Sequence, residues 1–119
     1  MARRILFIDD NSDDHLIVKL LAKRRSAVEV DIDCTSTVED AVAVLRKKRF
    51  DLILINHRLH PFKGFTETVP LLRKHMAGAD MIVVSDFVEG IDPHALPDGV
   101  SGVIAKSDLP TAFADGRIA

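Results

Sequence analysis

The sequence predicts an α/β fold in which a five-stranded parallel sheet is covered by helices on both faces. Three observations carry that reading. Short apolar runs of strand length recur along the 119 residues. Stretches of helical periodicity lie between them, the alternation expected of a parallel sheet wound by right-handed crossovers. One further run alternates apolar and acidic residues, which marks a strand with one wet face. Composition agrees: 47% of residues are hydrophobic and 29% charged, too apolar for a disordered chain.

The elements follow in order. Ile5-Leu6-Phe7-Ile8 is a continuous apolar run, suited to a strand buried on both faces. Leu16, Ile17, Leu20 and Leu21 form a helical stripe expected to face the core, with Lys19, Lys23 and Arg24 on the wet side. Val28, Val30 and Ile32 alternate with Glu29, Asp31 and Asp33, an edge strand. Val38, Ala41, Val42 and Leu45 keep helical spacing, and Ser36 with Glu39 reads as a capping box. Leu52-Ile53-Leu54-Ile55 is the third strand. Phe65, Val69, Leu72 and Met76 predict a third helix that Gly78 can end. Pro70 is placed in its first turn, with Thr66 or Thr68 as cap. Met81-Ile82-Val83-Val84 is the fourth strand. Gly90, Pro93, Pro97 and Gly99 then allow only a short fourth helix. Val103-Ile104-Ala105 is the fifth strand, and Leu109 to Phe113 gives one or two final helical turns before Gly116.

An amphipathic second strand at an edge fits the order 2-1-3-4-5, the flavodoxin-like, doubly wound arrangement, here with shortened fourth and fifth helices. Sites in such sheets lie beyond the carboxyl ends of the strands, between strands one and three. That rule selects Asp9-Asp10 after strand one, Asn56 after strand three, Ser85-Asp86 after strand four and Lys106-Ser107 after strand five. Two carboxylates are the hard oxygen ligands that Mg²⁺ takes, and a hydroxyl and an ammonium suit phosphoryl oxygens. Asp9 and Asp10 can also be read as turn formers, with Asp10-Asn11-Ser12 capping the first helix.

From Arg4 to about Leu109 the chain resembles the receiver domain of bacterial two-component response regulators. The resemblance rests on Ile5-Leu6-Phe7-Ile8-Asp9-Asp10, Asp51-Leu52-Ile53-Leu54-Ile55-Asn56, Gly64, Val84-Ser85 and Gly102-Val103-Ile104-Ala105-Lys106. It implies that Asp9 and Asp10, with the backbone of Arg58, form a weak Mg²⁺ site. It implies that position 56 is the phosphoacceptor position, and that Ser85, Val103 and Lys106 stand at the phosphate-sensing and switch positions. The departures are informative. Asn56 stands where the family has Asp, and Gly64 eight residues on keeps the family spacing. His60 stands where a proline is usual, Val103 replaces an aromatic, and Ser107 replaces the proline after the lysine. A carboxylate can attack phosphorus, whereas a neutral amide is a poor nucleophile. The chain therefore resembles a pseudo-receiver. Asn56 leaves two readings open: a native residue, or an Asp→Asn change blocking an otherwise active receiver.

The expected function is signal transduction by binding another protein, a histidine kinase or other signalling protein, with a homodimer also allowed. The first helix, carrying Lys19, Lys23, Arg24 and Arg25, is the expected docking element. The 119 residues are expected to form a single, cytoplasmic domain. Sixteen Lys and Arg against 18 Asp and Glu argue against DNA binding through bulk charge. No apolar run reaches membrane-spanning length. Trp and Tyr are absent, which disfavours base stacking, and the single cysteine, Cys34, excludes an internal disulfide; Cys34 is expected to be a small buried residue. No enzymatic role is expected, since Asn56 removes the nucleophile of an aspartyl phosphohydrolase. A second alternative is a small-nucleotide binder using Lys23-Arg24-Arg25 and Arg46-Lys47-Lys48-Arg49, though these clusters read first as helix C-terminal charges. His57 and His60 are expected in a solvated loop, and His15, His75 and His94 on the surface.

Overall fold

The computed structural model describes residues 2–118. Five parallel strands, β1 (Arg3–Ile8), β2 (Val30–Thr35), β3 (Leu52–Asn56), β4 (Asp80–Ser85) and β5 (Val100–Ala105), pair in the order β2-β1-β3-β4-β5. This is the flavodoxin-like order. Helices α1 (Ser12–Arg25), α2 (Val38–Leu45), α3 (Phe65–Arg73) and α4 (Leu109–Ala114) connect or follow them.

Each central strand is apolar throughout because both of its faces are covered. Leu6, Ile8, Ile53, Ile55, Met81 and Val83 point to one side, where Val38, Ala41 and Leu45 of α2 and Phe65, Val69 and Leu72 of α3 meet them. Ile5, Phe7, Leu52, Leu54, Ile82 and Val84 point to the other, against Val18 and Ala22 of α1 and Leu109, Ala112 and Phe113 of α4. The edges differ. In β2 only Thr35 is fully buried, and in β5 only Ile104. Ser101 is an extra residue in β5, where the register with β4 shifts, and its hydroxyl donates to the Met81 carbonyl at 3.2 Å.

Several local expectations are corrected. The α1 stripe is turned the other way: Val18 and Ala22 are buried, Leu21 packs partly, and Leu16, Ile17 and Leu20 face solvent. Val28 lies outside the strand and is exposed. The cap of α2 is Thr37, whose hydroxyl accepts from the Asp40 amide at 3.0 Å, one residue beyond the predicted Ser36. Helix α3 starts directly after Gly64 with no side-chain cap, which puts Pro70 in its interior. No helix forms between β4 and β5. Gly90 and Gly99 hold positive φ there, and Pro93 and Pro97 lack amide donors. The predicted fifth helix is therefore α4, one and a half turns long, entered through a single 3₁₀ turn at Lys106–Asp108. Among the described residues no helix is long and apolar enough to cross a membrane.

Candidate functional site

The fold gathers the strand-end residues as the topology requires. Asp9 follows β1 and stays in line with it, its amide donating to the Thr35 carbonyl at 3.0 Å. The chain then turns into α1. Asn11 caps that helix by accepting from the Asp13 amide at 2.9 Å, while Asp9 Oδ1 accepts from the Asn11 amide at 3.0 Å. The capping reading of this turn holds, with Asn11 as the cap, and a fully buried carboxylate, Asp9, lies at its base.

A cavity of about 570 Å³ opens above β1 and β3, with Asp9, Asp10, Asp14, Asn56, Arg58 and Lys106 in its wall. Lys106 crosses it. Its Nζ lies 2.7 Å from Asp14 Oδ2 and 2.9 Å from Asp9 Oδ2, with Asp86 farther off at 3.9 Å. The Asp14 contact is an aligned hydrogen bond. The Asp9 contact is a charge contact out of hydrogen-bond alignment, and no other donor reaches Asp9 Oδ2 among the described residues. Burial raises the Asp9 carboxyl above its ordinary range, although Lys106 and the Asn11 amide pull it down. Burial would lower Lys106, but its bonds and charge attraction to Asp14 and Asp9 prevail and hold the ammonium above its ordinary value.

Asn56 ends β3 and is buried, with its Nδ2 donating to the Arg58 carbonyl at 2.7 Å. That bond orients the amide, because turning it over would set two acceptors face to face. Asp10 is exposed and accepts from the His60 amide at 3.2 Å, tying the loop after β3 to the start of α1. Asn56 also borders a second cavity, of about 440 Å³, shared with His57, Arg58, Ser85 and the exposed Phe87. The Ser85 hydroxyl is turned to its own loop. It donates to the Phe87 carbonyl at 2.7 Å and accepts from the Phe87 amide at 3.3 Å. Val103 lines neither cavity and packs against the α2–α3 side of the core.

Three residues near the site have contacts that the strand-end rule does not predict. Asp14 lies within α1, outside the strand ends, yet it supplies the shortest contact to Lys106. His15 is not a free surface residue: its ring meets Phe7 edge-on and its Nε2 bonds the Asp9 carbonyl. His57 and His60 lie in the loop after β3 as expected, His60 exposed but His57 half-buried. The His57 Nδ1 accepts from the Phe65 amide at 3.3 Å, its ring lies over Phe65, and burial, then the Arg58 charge, lowers its pKa. That nitrogen is thus occupied, and among the described residues no three His, Cys, Asp or Glu side chains converge as a ligand set. Elsewhere, Lys48 of the second basic cluster pairs with Asp33 at 2.9 Å. Cys34 is half-buried, and burial pushes its thiol up, away from reactive thiolate character.

No protein-family model and no curated protein matches the sequence. Solved structures do match. The receiver domain of the Francisella response regulator 1452 aligns over 98% of this chain and 94% of its own, with 16% identity and a TM-score of 0.77. The fold is that of a response-regulator receiver domain. A receiver domain protein from Methanospirillum hungatei aligns over 98% of this chain and 91% of its own, at 23% identity and TM-score 0.76. A Burkholderia pseudomallei response regulator with a phosphorylated aspartic acid and a calcium ion aligns over 97% of this chain and 71% of its own, at 18% identity and TM-score 0.71. In this chain's version of the receiver fold, groups at the strand-end crevice are engaged by its own side chains and backbone. The Arg58 carbonyl accepts from the Asn56 amide, and Lys106 lies against the Asp9 carboxylate. The donor set as arranged does not fit a tightly held Mg²⁺.

Proposed function

We propose that residues 1–119 act as a receiver-type signalling module, in the cytoplasm, that works by binding other proteins without being phosphorylated. The observation that carries this is Asn56. It sits at the end of β3, facing the crevice, with its amide donating to Arg58. The position that would have to attack phosphorus holds a neutral amide whose nitrogen lone pair is delocalised into its carbonyl and whose N–H is engaged by the Arg58 carbonyl. Lys106, at the position the resemblance assigns to phosphate sensing, instead donates to Asp14 and lies in charge contact with Asp9. The crevice thus carries its own anion partners, and its conformation does not wait on a modification. Mg²⁺ is at most a weak ligand, and no catalytic turnover is assigned.

Intact-mass spectrometry after incubation with acetyl phosphate and Mg²⁺ tests the reading. The chain is expected to stay unmodified, and Asn56→Asp to gain a phosphoryl group, since Asp9, Asp10, Ser85 and Lys106 remain. An adduct on the unaltered chain that maps to the crevice overturns the proposal.

A further inference from the structure

Helix α1 leaves one apolar face without a partner. Leu16 is 64% exposed, Ile17 51% and Leu20 50%, while Val18 and Ala22 hold the helix to the sheet. At 100° per residue the exposed three share a face with Asp13, Lys23 and Arg24, directly opposite the buried side. The face has a definite charge order. Asp13 stands in the first turn and Lys23 and Arg24 in the last, with the apolar residues between them.

That order is self-complementary. The midpoint of Leu16 and Leu20 falls at residue 18, as does the midpoint of Asp13 and Lys23, and that of Asp13 and Arg24 lies half a residue on. A two-fold axis through this point, perpendicular to the helix, sets Leu16 against Leu20 of a second copy and Ile17 near its own equivalent. It also sets Asp13 opposite Lys23 and Arg24, twice over. The two helix dipoles then run antiparallel. A partner with an all-acidic rim would match the basic end but meet Asp13 with like charge, whereas a second copy matches both ends.

We propose that the α1 face is an isologous contact through which two copies of this chain pair, helix against antiparallel helix. This does not rest on the reading of Asn56. With three apolar residues per copy the contact lies at the small end of specific interfaces, so the dimer is a weak one that forms at micromolar concentration or above.

Sedimentation equilibrium over a wide concentration range tests it. The unaltered chain is expected to show a reversible monomer–dimer equilibrium. Leu20→Glu, at an exposed position where the fold tolerates charge, is expected to raise the dissociation constant by at least about tenfold. Asp13→Lys alone and the pair Lys23→Glu with Arg24→Glu alone should each weaken self-association. Mixed together, those two forms should associate with each other more tightly than either does with itself. Circular dichroism checks that each variant is folded. A chain that stays monomeric at millimolar concentration overturns the proposal. A dimer indifferent to all of these changes does so as well.

Discussion

Lys106 contributes stability only while it carries its proton. Because Asp14 and Asp9 hold its pKa above the ordinary value, the contribution is complete below about pH 10.5, the lysine reference, and is lost as pH rises through the higher folded value. Asp14→Asn should remove much of that alkaline loss and lower stability near neutral pH by about 1 kcal/mol, a charged hydrogen bond trimmed by solvent screening. Urea unfolding of both forms from pH 8 to pH 11 measures this, and parallel curves would show that Asp14 does not hold Lys106. His57 gives the opposite sign at the other end of the scale. Burial and Arg58 depress its folded pKa, so it favours folding above about pH 6.5 and costs stability as pH falls below that. Its ring also explains Gly64. A Cβ there would come within 2.6 Å of His57 Cε1, so the glycine serves close approach and not a special φ. Gly64→Ala should cost about 1–3 kcal/mol, and His57→Ala in the same chain should recover part of it. Denaturant midpoints of the two single variants and the double variant decide; strict additivity would mean the two residues do not collide. Asp9, Asp10, Asn56 and Lys106 were legible in the sequence because parallel topology places strand ends together. Asp14 was not, because it reaches the crevice from within a helix. The available signal was an acid in the first turn of the helix that starts at the switch point.

Helix α3 shows where element boundaries outrun sequence signals. The proline rule places Pro70 in a first turn, but Phe65 and Val69 must both reach the core below α2, and that burial draws the helix start back to Gly64. Pro70 then sits where its nitrogen cannot donate to the Thr66 carbonyl. A proline in a helix interior costs about 3 kcal/mol relative to Ala, less the entropy it removes from the unfolded chain. Pro70→Ala, at an exposed position, should therefore stabilise by about 1–2 kcal/mol, read as a higher urea midpoint at unchanged slope. A loss of stability would place the helix start at the later residues. Helix α1 misleads for a different reason. Periodicity identifies a helix but not which of two apolar sets faces the sheet, and the smaller set, Val18 and Ala22, allows the close approach. The stretch from 86 to 99 was legible as irregular but not as helix-free. Its glycines at positive φ and its prolines leave its backbone with only a few turn bonds, such as Ile91 to the Val88 carbonyl and Ala95 to the Asp92 carbonyl. Hydrogen exchange should be fast there and slow in β4 on its N-terminal side, the pattern of a low-stability segment between protected strands. Slow exchange across residues 88–98 would mean that a helix forms there after all.

Across the whole molecule, the sheet order brings groups from β1, β3 and β5 into one charge balance, and that balance couples position 56 to global stability. Asp9, Asp10, Asp14 and Asp86 share the crevice with Lys106 and Arg58, four negative charges against two positive. Asn56 adds none. Replacing it by Asp would add a fifth carboxylate, at a buried position, since Asn56 is only 8% exposed. Two like charges a few ångströms apart repel by roughly 4 kcal/mol at an effective dielectric of about 20, and Lys106 and solvent offset part of that. The change also breaks the bond to Arg58, because an ionised carboxylate cannot donate to a carbonyl and would face it acceptor to acceptor. Together these should lower the stability of Asn56→Asp in chelator by about 2 kcal/mol, a sizeable share of what a domain of this length has in reserve. A divalent cation bound to the added carboxylate and the freed carbonyl would offset both penalties at once. Millimolar Mg²⁺ should therefore raise the unfolding midpoint of Asn56→Asp markedly and that of the unaltered chain little, by mass action on the folded state alone. Denaturant unfolding of both forms, in chelator and in Mg²⁺, makes four curves, and their pattern is decisive. Equal stability in chelator together with an equal response to Mg²⁺ would mean that position 56 shares no electrostatic site with Asp9 and Asp10, which contradicts the pairing of β1 with β3 that sets them side by side.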